Sequence, residues 1–139
     1  MPPRTLTVSS ILVETELAMT HKKFITFVSR SAPYGTHNAQ LCLDMALACA
    51  VFDQEVNYVF LDDGVYQLKR EQRAAAIKRK TLGNAIEALS LYGIENIMVD
   101  GASMQSRALQ VADLVLPVTL VDRADISALL QASDVVFNL

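Results

Sequence analysis

Five short runs of apolar residues recur along the chain, separated by stretches with helical spacing, and this alternation restricts the fold more than any other feature. Phe24-Ile25-Thr26-Phe27-Val28 is the first run, and Val56 with Tyr58 to Leu61 is the second. Ile94 to Val99 contains a third, Val115 to Val121 holds a fourth interrupted by Pro117, and Val135-Val136-Phe137 is the last. Between the first two, Asn38 to Phe52 reads as a helix. Its Leu41, Met45, Ala48 and Phe52 form a stripe expected to face the core. Leu82, Ala85, Ile86 and Leu89 give a second helical stripe, closed by Gly93 at a C′ position, and Asp125 to Ala132 reads as a third helix. Strands that are apolar throughout, rather than alternately, belong to a sheet covered on both faces. Alternation with helices makes that sheet parallel, with right-handed crossovers. The expected fold is α/β: a single three-layer doubly wound domain with a mostly parallel sheet of about five strands.

Composition narrows the class further. At 139 residues the chain holds one domain, placed at 22–139; residues 1–21 read as a disordered tail or an upstream extension. Hydrophobic residues at 52% and charged residues at 19% exclude disorder. They also leave too few charges to cover a monomer, so the chain is expected to bury an apolar face in an assembly. A net charge of −3 argues against direct nucleic-acid binding. No apolar run approaches the roughly 20 residues of a membrane helix, and no membrane role is expected. Two cysteines make no disulfide framework, and the chain reads as cytoplasmic.

In a doubly wound sheet, function sits where loops leave the carboxyl ends of the strands. Those loops are 29–37, 62–68 and 100–106. The five glycines are scattered, so neither a Walker loop nor G-x-G-x-x-G exists. Ser29, Ser31 and Thr36 near a helix start keep a flavodoxin-like flavin or nucleotide site as the alternative, although ordinary cap chemistry also accounts for them. Asp62, Asp63 and Asp100 end strands as phosphoacceptors do, but no lysine follows Lys80 to balance them, so that reading fails. His21 and His37 stand far apart with no ligand spacing, and no metal site is expected. Cys42 and Cys49 lie on one helix about 10 Å apart along its axis, beside the core stripe, and read as packing residues. The segment 69–80 carries a charge of +5, leaving −8 elsewhere, and reads as a solvated helix face or a docking patch.

Two motifs go further. The first strand with Ala32-Pro33-Tyr34-Gly35-Thr36, and the second with Asp62-Asp63-Gly64-Val65-Tyr66-Gln67-Leu68, resemble the DsrE/DsrF/DsrH superfamily, nearest its TusC/DsrF branch. Leu89-x-x-Tyr92-x-Ile94-Glu95 and the ending Ser133-Asp134-Val135-Val136-Phe137 agree with it. The resemblance implies an intracellular sulfur relay, in which a persulfide-bearing cysteine of a DsrE/TusD-like subunit works in a heterohexamer with a DsrH/TusB-like sister. The family's relay cysteine lies in or after the third strand, where Met98 most nearly stands in this chain. A thioether cannot form a persulfide. The resemblance therefore implies a non-catalytic partner subunit without a cofactor, serving either tRNA thiolation or sulfur oxidation. Tyr34, Gly35, Thr36, Asp63, Gly64 and Tyr66 are expected to form a functional rim or interface, with Gly64 supplying a turn conformation that a side chain would strain.

Overall fold

The computed structural model describes residues 22–70 and 85–139. The tail 1–21, Leu82 and the basic residues from Arg73 to Lys80 lie outside them. Five strands form one sheet: β1 (Phe24–Ser29), β2 (Glu55–Phe60), β3 (Asn96–Asp100), β4 (Thr119–Val121) and β5 (Val135–Asn138). Their order is β4-β3-β2-β1-β5, and every neighbouring pair is parallel. The doubly wound α/β expectation holds. Its strands are central where they are most apolar: after the first residue of each, β1 and β2 are buried throughout. β4 starts only beyond Pro117, whose ring supplies no N–H to a ladder. β3 starts at Asn96 rather than Ile94, because Gly93 turns left-handed (φ 86°) and Ile94 N–H closes on Leu89 O at 3.1 Å.

The helices α1 (Asn38–Val51), α2 (Gly101–Ser106) and α3 (Arg123–Ala132) flank the sheet, and residues 85–87 are also helical. Among the described residues there are also three 3-10 segments, Asp62–Leu68, Ala88–Tyr92 and Val111–Asp113. The larger core lies between one sheet face and α1 with residues 85–92. There Ile86 and Leu89 are fully buried as the periodicity predicts, beside Phe27, Tyr58 and Phe60. Phe27 stacks on Phe137 with centroids 5.0 Å apart, an offset packing that adds to simple area burial. Across the sheet, α3 packs Ile126, Leu129 and Leu130 against Val28, Val59 and Leu61. Its capping box begins it at Asp122, where the Asp122 carboxylate accepts Asp125 N–H at 2.8 Å and Asp125 returns the bond at 3.1 Å.

The face of α1 is corrected. Ala39, Cys42, Leu43 and Ala46 are its buried residues, whereas Leu41 and Phe52 of the expected core stripe are 48% and 52% exposed. The helix is apolar on nearly every side, so its periodicity admits two stripes. The sheet takes the one rich in small side chains, which lets helix and sheet backbones approach. The bulkier stripe is left facing outward.

Candidate functional site at the carboxyl edge of the sheet

The loops after β1 and β2 are locked together. Gln67 Nε2 donates to Ser29 Oγ and to Ser31 O, each at 2.8 Å, and Leu61 N–H donates to Ser29 O at 3.0 Å. Gly64 lies directly on this turn: a Cβ there would stand 2.1 Å from Ser29 O. The expectation for Gly64 is therefore right in residue and wrong in cause. Lack of room demands glycine, and the left-handed residue of the loop is Asp62 (φ 52°).

The rim residues separate into two sets. Gly64 sits buried against Ser29 and Arg30, whereas its neighbour Asp63 is exposed and faces Arg107. Tyr34, Gly35 and Thr36 lie exposed further along the first loop, where Thr36 Oγ1 accepts Asn38 N–H at 3.4 Å at the start of α1. Gly35 adopts φ 91° in open space, and Tyr66 is partly buried against the larger core.

An ionic network joins the strand ends. Asp62 accepts Arg30 Nε and Nη2 at 3.0 and 2.9 Å, and Arg123 Nη2 stands 3.8 Å from its other oxygen. Asp62 N–H donates to Ser103 Oγ at 2.9 Å, which donates onward to Asp100 Oδ2 at 2.6 Å. Asp100 is wholly buried; Ser103 N–H also reaches its Oδ2 at 3.2 Å, with Arg123 Nε 3.7 Å away. Arg107 pairs with Asp63 at 3.0 Å and donates from Nη1 to Ser103 O at 3.2 Å. Three arginines and three aspartates thus tie four loops together without net charge. The exposed pairs contribute little each, about 0.2–1 kcal/mol. The buried part matters more, and Ser103→Ala is expected to cost about 1.5–3 kcal/mol, read as a shift in the urea midpoint, by removing the hydroxyl's bond to the buried Asp100 carboxylate and the acceptor of Asp62 N–H. An unchanged midpoint would show that Asp100 does not depend on Ser103. In the sequence Asp62 and Asp100 suggest only phosphoacceptors, and the structure makes them ion-pair partners instead. The available signal was an arginine close behind three strand ends: Arg30, Arg107 and Arg123.

The cysteines lie elsewhere. Cys42 is fully buried beneath α1, and burial pushes its thiol up from the ordinary value of 9.0 against the opposing influence of Tyr58 and Ser29. Tyr58 is raised well above 10.0, first by burial and then by Cys42; its hydroxyl makes no hydrogen bond of good geometry. Cys49 is half-buried and also raised by burial. Met98 packs, partly buried, against the cluster under α3. Among the described residues no group of three His, Cys, Asp or Glu could hold a metal ion, and no helix is long and apolar enough to cross a membrane.

Comparison with known proteins matches residues 23–139 to the model of the DsrE/DsrF-like family. The chain belongs to that family. It is 38% identical over 131 residues to the intracellular sulfur oxidation protein DsrF of Allochromatium vinosum, covering 84% of this chain and 96% of that one. A TusC homolog of Pseudomonas aeruginosa is 35% identical over 115 residues, covering 83% and 97%. The crystal structure of the ychN protein from E. coli superposes with a TM-score of 0.70 at 16% identity, over 86% of this chain and 100% of that one, a likeness of fold.

Proposed function

We propose that this chain is the subunit of an intracellular sulfur-transfer complex that does not itself carry the travelling sulfur. Membership of the DsrE/DsrF-like family, beside relatives called DsrF and TusC, carries the reading. The chemistry of its thiols supports it. In sulfane transfer an acceptor thiolate attacks the outer sulfur of a persulfide, and the donor cysteine leaves as thiolate. The acceptor must be ionised and accessible. Cys42 is neither, Cys49 is half-buried and raised, and Met98 offers a thioether. Of the three hydroxyls behind the flavin alternative, Ser29 is buried in the bond from Gln67, Ser31 Oγ donates to Leu139 O at 2.7 Å, and the exposed Thr36 Oγ1 accepts Asn38 N–H as an ordinary helix-start contact.

In this reading the chain assembles with DsrE/TusD-like and DsrH/TusB-like sisters as a heterohexamer with two copies of each. The exposed rim residues Tyr34, Gly35, Thr36 and Asp63 face the assembly rather than a cofactor, and Gly64 and Tyr66 hold the loop behind Asp63 in place. Tagged chain purified from its native host should bring down both sisters in equal amounts by intact mass. Recovery of the chain alone, at a concentration where the sisters are abundant, would contradict the reading.

A further inference from the structure

We propose that an ordered water molecule is bound inside the domain, beneath the carboxyl ends of β1 and β2, where it accepts the proton of the Tyr58 hydroxyl and donates one of its own to Gln67 Oε1. The inference stands on the interior polar groups of this chain and does not depend on the functional reading above.

Ser29, Cys42, Tyr58 and Gln67 are all buried. The orientation of the Gln67 amide is fixed: its Nε2 donates to Ser29 Oγ and to Ser31 O, and a carbonyl only accepts, so the amide cannot be turned over. Gln67 Oε1, a pure acceptor, is thereby left inside the protein with no donor among the described residues. The Tyr58 hydroxyl is buried in the same condition. Ser29 and Cys42 stand close enough to act on its ionisation, yet neither meets it at hydrogen-bonding geometry. Buried polar groups in folded proteins are nearly all hydrogen-bonded. One donor and one acceptor, both left over beside the same serine hydroxyl, call for a third molecule.

Neither group is free to turn towards the other. Gln67 is held by its two bonds of 2.8 Å. The Tyr58 ring is wedged between Phe27, stacked at 6.3 Å between centroids, and Phe60 at 4.9 Å. The bridging molecule must therefore be small and must both accept and donate. Water meets both demands, and buried waters typically make about three hydrogen bonds to groups the chain leaves unpaired. Ser29 Oγ accepts from Gln67 and keeps its own proton to give, so it is placed to supply the third. Bound there, the water ties the loop after β2, through Gln67, to the middle of β2 itself.

The test uses the full chain. A high-resolution crystal structure should show a water within hydrogen-bonding distance of the Tyr58 hydroxyl and Gln67 Oε1, as well ordered as the side chains around it. Tyr58→Phe then asks in solution whether the hydroxyl is satisfied. The ring keeps its place, so the variant should fold. Loss of a made bond should lower the folding equilibrium constant at least about fivefold, read from the urea midpoint. Magnetic relaxation dispersion of the solvent should count one fewer long-lived water in the variant. An unsatisfied hydroxyl predicts the opposite sign, because its removal leaves the midpoint unchanged or raises it. That result overturns the inference. So does a crystal structure in which Tyr58 donates directly to Gln67, or in which a side chain from residues 71–84 takes the bridging place.

Discussion

Replacing Gly64 with alanine is expected to destabilise the chain by about 3 kcal/mol or more, lowering Tm by about 10 °C or more. The added methyl would begin 2.1 Å from Ser29 O and 2.8 Å from Ser29 C, which are backbone atoms that cannot rotate aside. Either the loop after β2 lifts, or β1 gives way at its last residue. Both movements break the bonds from Gln67 to Ser29 and Ser31. Gly35→Ala is the control: it carries a left-handed φ of 91° but has nothing within 4 Å, so only backbone strain of about 1–2 kcal/mol is at stake. A Gly64 variant that melts with wild type, or less damage at Gly64 than at Gly35, would refute the close packing of these loops.

Cys42 should resist alkylation at pH 8 by a factor of about 10³ or more relative to the unfolded chain, since its thiol is reached only when the core opens. Cys49, half-buried near the end of α1, should react at an intermediate rate. The same burial predicts a pH dependence. Folded Cys42 and Tyr58 hold their protons more tightly than the unfolded chain does. Stability from these groups is therefore intact below pH 9.0 and is lost as pH climbs through the ordinary thiol and phenol values of 9.0 and 10.0. Denaturant midpoints from pH 7 to 10.5 should fall along the alkaline limb, and Tyr58→Phe should flatten it. Rapid labelling of Cys42 at native pH would contradict the buried placement.

The strands were legible because a central parallel strand leaves a long apolar run in the sequence, and β1 and β2 are buried on both faces. The loops at their carboxyl ends were placed for the same reason. What periodicity could not resolve was a helix with apolar residues on both sides. α1 offers Leu41, Met45, Ala48 and Phe52 as readily as Ala39, Cys42 and Ala46, and only the demand for close helix–sheet approach selects the smaller set. Gly64 is needed for want of room rather than for its φ, and a residue letter does not distinguish a missing Cβ that makes room from one that frees φ. The ionic network was illegible because Arg30, Asp62, Ser103 and Arg123 are far apart in sequence and meet only when four strands align. The motif residues Gly64, Gln67, Ser133 and Asp134 all join segments: Asp134 accepts Phe24 N–H at 2.8 Å, and Ser133 Oγ lies 2.6 Å from Thr26 Oγ1. Their likeness to the family is a likeness of architecture.

The most direct test loads the assembled complex with a persulfide donor and weighs each subunit intact under non-reducing conditions. The sister with a cysteine at the third strand should gain the mass of one sulfur atom, lost again on thiol treatment, while this chain stays at its unmodified mass. A stoichiometric gain of one sulfur on Cys42 or Cys49, abolished by replacing that cysteine with alanine, would contradict the account.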